Sequence, residues 1–189
     1  MLEEIDFVTS DLHLGHANIP KWRELESLEE MHALIVQSWN RVISSSNHVL
    51  IVGDAVMGHR LETLPLLDKL NGQKYLIPGN HDHVHPMHGE KMLERWTEKY
   101  SEHLTIMPTE AFLSLSTGVV KVCHFPYEGI DHTEEVRFPE WRPEKYDGWL
   151  LHGHIHSHSA LSADRPGQID VGWDAWQRPI SVDELAKLI

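Results

Sequence analysis

The sequence is poor in cysteine and in long apolar segments. Cys123 is the only cysteine among 189 residues, so no disulfide can form within the chain, which fits a reducing compartment. No apolar run approaches the roughly 18 residues that a membrane-spanning helix needs. The N-terminus also lacks the basic and apolar segments of a secretion signal. We therefore expect a cytoplasmic protein that does not associate with membranes.

Basic residues are scarce as well. Lysine and arginine number 16 against 29 aspartates and glutamates, which gives a formal net charge of −13, and no basic run occurs. Duplex nucleic acid is bound mainly through its phosphates, so we do not expect it as a tight partner. A small phosphorylated substrate, such as a nucleotide, fits this charge because bound cations can reverse the local sign. The sequence does not indicate an oligomeric state.

Histidine is abundant instead, with 16 residues, and together with many acidic groups it suggests metal binding. Short apolar runs alternate with amphipathic segments, which predicts an α/β fold. The chain contains no internal repeat and no glycine- or proline-rich linker. Its length favours a single domain that covers residues 1–189.

Apolar residues at helical spacing predict helices at residues 28–42, 61–70 and 91–100, and a last one after Ser181. Ser27 and Glu30 have the spacing of a capping box at the start of the first of these helices. Shorter apolar runs predict strands at residues 5–9, 49–52, 74–77, 104–107, 111–116, 119–122 and 149–151. The fifth and sixth of these strands are expected to form a hairpin.

Five of the predicted strands are followed almost at once by side chains that bind metals. In chain order these side chains are Asp11 and His13, Asp54, Asn80 with His81 and Asp82, His124, and His154 with His156. Ligands of open α/β sheets bind beyond the carboxyl ends of the strands, so we expect these residues to converge on one site.

The spacing of these residues adds to the argument. Asp11 and His13, like His154 and His156, are two positions apart, so an extended backbone would point both side chains of each pair to one side. The set offers imidazole, carboxylate and amide oxygen but no thiolate, which suits Mn, Fe or Zn. Cys123, next to His124, is expected to point to the opposite face and to pack in the core.

Together these motifs resemble those of the calcineurin-like metallophosphoesterase superfamily, in the family order, across residues 11–156. The segment SDLHLGHANI at residues 10–19 resembles a small bacterial and phage branch, as do Trp39-Asn40 and the segment 171–181. The resemblance implies a four-layer α/β/β/α sandwich in which mixed sheets are flanked by helices. In place of the charged residue or histidine that the family often has three positions after Asp54, this chain has Met57, with His59 as a candidate substitute.

The resemblance also implies a role for each residue. One divalent metal would be held by Asp11, His13 and His156, a second by Asn80, His124 and His154, and Asp54 would bridge the two. Mn²⁺ is the expected metal, with Fe, Zn, Ni, Co and Mg as alternatives. His81 would lie near the substrate phosphate, and Asp82 would orient His81.

A hydroxide between the two metals would attack phosphorus, and His81 would stabilise charge or protonate the leaving oxygen. The expected activity is that of a phosphodiesterase on small nucleotide-like or cyclic diesters. A phosphomonoesterase or a pyrophosphatase-type hydrolase with the same site is the alternative, and a non-catalytic scaffold is a further one. His16 and Asn18 are candidates for contact with substrate, or for packing within their loop.

Overall fold

The computed structural model describes residues 2, 4–128 and 136–189, which fold around two β-sheets. The strands are β1 (Phe7–Thr9), β2 (His48–Val52), β3 (Gln73–Ile77), β4 (Thr105–Ile106), β5 (Glu110–Leu115), β6 (Gly118–Cys123), β7 (Leu150–His152), β8 (Gln168–Asp170) and β9 (Ile180–Ser181). The helices are α1 (Ile19–Trp22), α2 (Leu28–Val42), α3 (Arg60–Thr63), α4 (Glu90–Ser101), α5 (Trp173–Trp176) and α6 (Val182–Ala186). Three 3-10 helices cover Leu64–Lys69, Pro86–His88 and Pro139–Trp141.

Both sheets are mixed. The first has the order β4-β3-β2-β1-β9, in which β1 to β4 are parallel and β9 runs antiparallel to β1. The second has the order β5-β6-β7-β8, with an antiparallel β5–β6 hairpin followed by two parallel pairs. The carboxyl ends of β1, β2 and β3 therefore lie together in one sheet, and those of β6 and β7 lie together in the other.

The layers follow from the alternation of side chains along the strands. In β2, Val49 and Ile51 pack in a cluster with α2 and α4, whereas Leu50 and Val52 pack between the two sheets. A strand that is buried on both faces has a continuous run of apolar residues, as residues 49–52 do. The outer face of the second sheet carries a smaller cluster that includes Cys123 and Leu150 and is covered by the 3-10 helix Pro139–Trp141.

The predicted α/β fold with mixed sheets flanked by helices is confirmed, and Cys123 is buried as expected. Ser27 caps α2 by accepting a hydrogen bond from the Glu30 amide at 3.1 Å. The Glu30 carboxylate, however, accepts from the amide of Glu26 at 2.7 Å instead of that of Ser27. The helix predicted for residues 61–70 is divided into α3 and a 3-10 helix, since Pro65 has no N–H to continue the α-helical pattern.

Six short elements were not predicted, namely α1, α5, β8, β9 and the 3-10 helices Pro86–His88 and Pro139–Trp141. Each has two to four residues, too few for a periodic pattern to appear in the sequence. Among the residues described, none of the helices combines the length and the apolar character that crossing a bilayer requires.

Candidate metal centre

The residues predicted as metal ligands converge at the carboxyl ends of the strands. They follow β1, β2, β3, β6 and β7, and each of them is at most 8% exposed. Those residues are Asp11, His13, Asp54, Asn80, His124, His154 and His156. Buried charged groups are costly unless they are paired or coordinate a metal, so this cluster needs positive charge.

The backbone at most of these residues is left-handed and not extended, which corrects the expectation from their spacing. The φ angle lies between 51° and 73° at Asp11, His13, Asp54, His154 and His156. Residues held in this region cost on the order of 1–3 kcal/mol each and occur where the surrounding structure fixes them, often at functional sites. Asp11 and His13 thus meet in one group although the backbone at both residues is left-handed, whereas His154 and His156 face different groups.

Asp11, His13 and His156 form one group, whose ligand atoms lie within 4.8 Å of one another. The Nε2 atoms of the two imidazoles are 3.1 Å apart, and the rings are stacked with an interplanar angle of 26°. Asp11 Oδ1 lies 3.7 Å from His13 Nε2 and 3.9 Å from His156 Nε2. Three ligand atoms that face a common point are suited to hold one divalent cation.

The ring of His156 is oriented by a buried ion pair that the sequence analysis did not assign. His156 Nδ1 lies 2.7 Å from Asp174 Oδ2, and Asp174 also accepts two hydrogen bonds from Arg23 at 2.7 and 3.1 Å. Arg23 Nη2 in turn donates to the carbonyl of Asp11 at 2.7 Å. The Nδ1–H of His156 therefore donates to Asp174, and its Nε2 directs a lone pair towards Asp11 and His13.

The pKa values in this network agree with its geometry. Burial lowers the pKa of His156, but the hydrogen bond to Asp174 and the charge of Asp11 outweigh it and raise the pKa above the usual value. Burial raises the pKa of Asp174, yet His156 and Arg23 bring it down to about 2. Asp174 is thus a carboxylate throughout the physiological range, and it favours an Nδ1-protonated His156.

We expect Asp174→Asn to weaken metal binding at the Asp11–His13–His156 group by roughly 10–100-fold, because partners that orient a ligand typically contribute this much. Isothermal titration of the metal-free protein with Mn²⁺ measures the affinity, and circular dichroism checks that the variant is folded. The exposed Asp164, changed to Asn, is the matched control and is expected to bind like the wild type. Unchanged Mn²⁺ affinity in Asp174→Asn would show that the carboxylate does not support the site.

A second group lies beside the first and includes Asp11, Asp54 and His124. His124 Nδ1 is 2.8 Å from the Val52 carbonyl, so this nitrogen carries the proton and donates to that carbonyl. His124 Nε2 then directs a lone pair at Asn80 Oδ1, 3.2 Å away. Two acceptors at this distance repel each other unless a cation or a proton lies between them.

Asn80 Oδ1 is also the point at which His154 joins this group, since His154 Nδ1 lies 2.9 Å from it. His124, His154 and Asn80 thus bring two imidazoles and an amide oxygen together. Burial lowers the pKa of His124, but the carboxylates of Asp54 and Asp11 raise it above the usual value. The donor set and its surrounding negative charge therefore fit a second divalent cation.

Asp54 lies between the two groups. Its Oδ2 is 3.7 Å from His13 Nε2 and 3.6 Å from His124 Nε2, so the same oxygen faces one histidine of each group. Its other oxygen accepts a hydrogen bond from the His81 amide at 2.8 Å. Burial raises the pKa of Asp54, whereas the nearby His124, His81 and His13 lower it, with a net decrease.

Asp82 is buried behind Asp54. Its carboxylate accepts hydrogen bonds from the backbone amides of Asp54 at 2.8 Å, Gly79 at 2.9 Å and Ala55 at 3.2 Å. Burial and the charge of Asp54 raise its pKa to about 7. These bonds tie the loop after β2 to the loop after β3, whereas an orienting effect of Asp82 on the His81 ring stays a prediction.

Gly79 allows the two loops to approach this closely. A Cβ atom at this position would clash with Asp54 Oδ1, with the Asp54 backbone and with His124 Nε2. The glycine of the Gly79-Asn80-His81-Asp82 motif is therefore needed for packing against the ligands.

His81 is the most accessible of the predicted catalytic and metal-binding side chains, with 35% of its surface exposed. Its Nε2 lies 3.9 Å from Asp54 Oδ2, and its ring centroid is 5.5 Å from that of His13. Burial is the main cause that lowers the pKa of His81. A half-exposed imidazole at the edge of the ligand cluster is placed where a substrate can reach it.

His16 and Asn18 follow His13 in the loop before α1, and the ring centroid of His16 is 5.6 Å from that of His13. His16 Nδ1 accepts hydrogen bonds from the amides of Asn18 at 3.1 Å and Ile19 at 3.2 Å, so it supports the start of α1. Both residues also line a cavity of about 400 Å³ that reaches His156 and Trp22. The structure thus shows a packing role for His16, and contact of either residue with substrate stays a prediction.

A second cleft of about 400 Å³ opens beside Asn80 and His81, and its lining includes Arg137 and Trp141. Arg137 was not assigned from the sequence, because no motif surrounds it. Burial is the main cause that lowers the pKa of His81 and of His154, and the positive charge of Arg137 adds a smaller decrease at both.

Met57, and not His59, contacts the site. Met57 Sδ is 3.3 Å from His13 Nδ1, and a thioether is a weak acceptor that suits an Nδ1–H donor. The side chain of His59 is 68% exposed and pairs with Glu62 at 3.2 Å. His152 is buried, and its Nδ1 lies 2.9 Å from the Gly153 carbonyl.

Comparison with known proteins places the chain among phosphoesterases. A sequence profile described as "Calcineurin-like phosphoesterase" matches residues 7–184. The Gene 66 proteins of Mycobacterium phages D29 and L5 are each 36% identical to the chain, over 96% of it and over 94% and 92% of their own lengths. An uncharacterized protein of Methanocaldococcus jannaschii is 26% identical over 97% of the chain and 90% of its own length. A protein of unknown function from Aquifex aeolicus has the same fold, with a TM-score of 0.72 over 100% of both chains at 22% identity.

Proposed function

The chain belongs to the calcineurin-like phosphoesterase family, and from this premise we propose that it hydrolyses small phosphodiesters with two divalent metal ions. The observation that carries the proposal is the position of Asp54, one oxygen of which faces a histidine of each ligand group at 3.6 and 3.7 Å. A carboxylate in this position can be shared by two cations, and paired cations about 3.5–4 Å apart are typical of phosphoryl-transfer sites.

One metal would be held by Asp11, His13 and His156, and the other by Asn80, His124 and His154, with Asp54 as the shared ligand. When bound, such metal ions offset the charge of the phosphate and lower the pKa of water towards 7. Mn²⁺ is our first choice, because the set combines imidazole with oxygen donors and lacks thiolate.

The remaining steps belong to side chains around the ligands. His81 would donate a hydrogen bond or a proton from its ring to the leaving oxygen, for which its half-exposed position is suited. Arg137, in the cleft beside His81, would hold an anionic phosphoryl oxygen. Asp82 would hold the loop of Asp54 against the loop of Gly79 through its three hydrogen bonds from backbone amides.

The proposed substrate is a compact diester, nucleotide-like or cyclic, and the proposed setting is the cytoplasm. The net charge of −13 disfavours long polyanions, because repulsion outside the metal site grows with each added phosphate. A small diester presents a single charge to the site.

A metal-reconstituted activity screen tests the proposal. The metal-free protein is loaded with Mn²⁺, and in parallel with Fe²⁺, Zn²⁺, Ni²⁺, Co²⁺ or Mg²⁺, and assayed on bis(p-nitrophenyl) phosphate, p-nitrophenyl phosphate and a cyclic nucleotide. We expect the diesters to be hydrolysed faster than the monoester, with Asp54→Asn as the blank. Faster hydrolysis of the monoester would favour a phosphomonoesterase, and no turnover above the blank with any metal would refute the hydrolase.

A further inference from the structure

Trp22 is an exposed aromatic ring beside the metal ligands. All seven tryptophans lie in the described part of the chain, and Trp22, at 45%, is the most exposed of them. It is the last residue of α1 and lines the cavity of about 400 Å³ that also contains His16, Asn18, Lys21 and His156. A large flat apolar surface that remains open to solvent at the edge of a reaction site is available to a ligand.

Two histidine rings lie beside the indole. The ring centroid of Trp22 is 5.2 Å from that of His156, with the planes at 85°, and 6.0 Å from that of His158, with the planes at 26°. His156 is a proposed metal ligand and is itself fixed by Asp174. Trp22 thus contacts a proposed metal ligand, next to which a phosphate would be bound.

We propose that Trp22 is the stacking surface for the base of a nucleotide ester whose phosphate is held at the metal centre. The proposal rests on the proposed function and specifies its substrate class. A phosphate beside His156 would leave its nucleoside substituent over the cavity, where the indole ring lies. Base–aromatic stacking accepts any base because each has a π-face, so the inference concerns the class of substrate and not one base.

The lining of the cavity fits a nucleoside better than a lipid chain. Asn18 and Lys21 are exposed polar residues at its edge, and they can contact the polar rim of a base or a ribose while the ring faces Trp22. The cavity volume is in the range of roughly 300–1,000 Å³ that is usual for small-molecule sites. In a chain of net charge −13, Lys21 also offers a local positive charge to an anionic ligand.

Two diesters with the same leaving group test the proposal by kinetics. The Mn²⁺-loaded enzyme is assayed on thymidine p-nitrophenyl phosphate and on methyl p-nitrophenyl phosphate. In both, water attacks phosphorus, the bond to p-nitrophenolate breaks, and a monoester and two protons result at alkaline pH. We expect Trp22→Ala to lower the ratio of kcat/KM for the nucleoside ester over the methyl ester by about tenfold, a typical effect of losing base stacking.

Trp22→Phe keeps a flat ring and is expected to retain most of this ratio. Leu61→Ala is the matched control, since Leu61 is an apolar side chain of α3 that is 56% exposed and lies outside this cavity. An equal loss on both esters in Trp22→Ala would show that the indole only shields or supports His156. That result would overturn the proposal without affecting the proposed function.

Equilibrium binding separates the two proposals further. The Mn²⁺-loaded protein is titrated with adenosine monophosphate and with ribose 5-phosphate, which has a hydroxyl group in place of the base. We expect wild type to prefer adenosine monophosphate and Trp22→Ala to lose about tenfold of that preference. Equal weakening of both ligands would refute base stacking, whereas absence of hydrolysis in every assay with the base preference intact would refute only the proposed reaction.

Discussion

Asp54→Asn is expected to abolish hydrolysis and to lower the affinity for divalent metal by at least about 100-fold. Groups that only orient a ligand contribute roughly 10–100-fold, and we propose that Asp54 is itself a ligand, shared by two metals. Its carboxylate faces His13 and His124 at 3.7 and 3.6 Å. Asparagine would keep one oxygen but lose the negative charge, so the charge of the proposed metal ions would be compensated less.

Asparagine is the informative replacement at this position. The φ angle of Asp54 is 53°, in the left-handed region that aspartate and asparagine enter more readily than most residues. The substitution therefore preserves the backbone and nearly preserves the volume, and it removes mainly the charge. A loss of metal binding in this variant is then due to electrostatics and not to misfolding.

Thermal unfolding with and without Mn²⁺ measures the effect on metal binding. At about 100 times its Kd, a ligand stabilises the folded state by about 2.7 kcal/mol, so wild type should show a clear rise in Tm. Asp54→Asn should lose that rise, while the exposed Asp68, changed to Asn, should keep it. If Mn²⁺ raised the Tm of Asp54→Asn as much as that of wild type, Asp54 would not be a ligand on which metal binding depends.

His81→Ala should lower kcat by roughly 10²–10⁴-fold on a diester with a poor leaving group and leave the metal content unchanged. His81 lies at the edge of the ligand cluster, and its side chain is 35% exposed. The effect should be smaller on a p-nitrophenyl ester, because p-nitrophenolate is a good leaving group that needs little protonation. The dependence on the leaving group distinguishes proton donation from simple binding of the phosphate.

His59→Ala is the matched control for His81, because His59 is 68% exposed and pairs with Glu62 away from the ligands. Elemental analysis of both variants should give the metal content of wild type. An undiminished kcat of His81→Ala on an alkyl leaving group would exclude His81 as the general acid. A lowered metal content in that variant would instead make His81 part of the metal site.

The convergence of the residues after β1, β2 and β3 could be predicted because it depends on the order of parallel strands within one sheet. Apolar runs such as residues 49–52 identify buried strands, and Gly53-Asp54 follows directly. Since β1, β2 and β3 are parallel neighbours, the residues after them must meet at one edge of the sheet. The proximity of these residues could therefore be expected without knowledge of side-chain geometry, whereas their role as metal ligands stays a prediction.

The support of the ligands could not be predicted, because it depends on contacts between distant parts of the chain. Arg23 and Asp174 are separated by 151 positions, and neither lies in a periodic pattern. The segment 171–181 resembled a family branch, which was the available signal for Asp174, but it did not indicate which side chain Asp174 contacts. Arg137 and Trp22 likewise gain their significance from cavities that only the folded chain defines.

The left-handed turns limit the amino acids that these positions can accept over evolution. Asparagine, aspartate and histidine are the non-glycine residues most enriched at positive φ, and they also have oxygen and nitrogen atoms that coordinate cations. At Asp11, Asp54 and His156, a drift towards valine, isoleucine or threonine would strain the main chain even if no metal were ever bound. A descendant that lost its enzymatic activity would thus retain a ligand-like sequence at these turns. Motifs of this kind in a distant homologue would then be evidence for the shape of its loops before they are evidence for its chemistry.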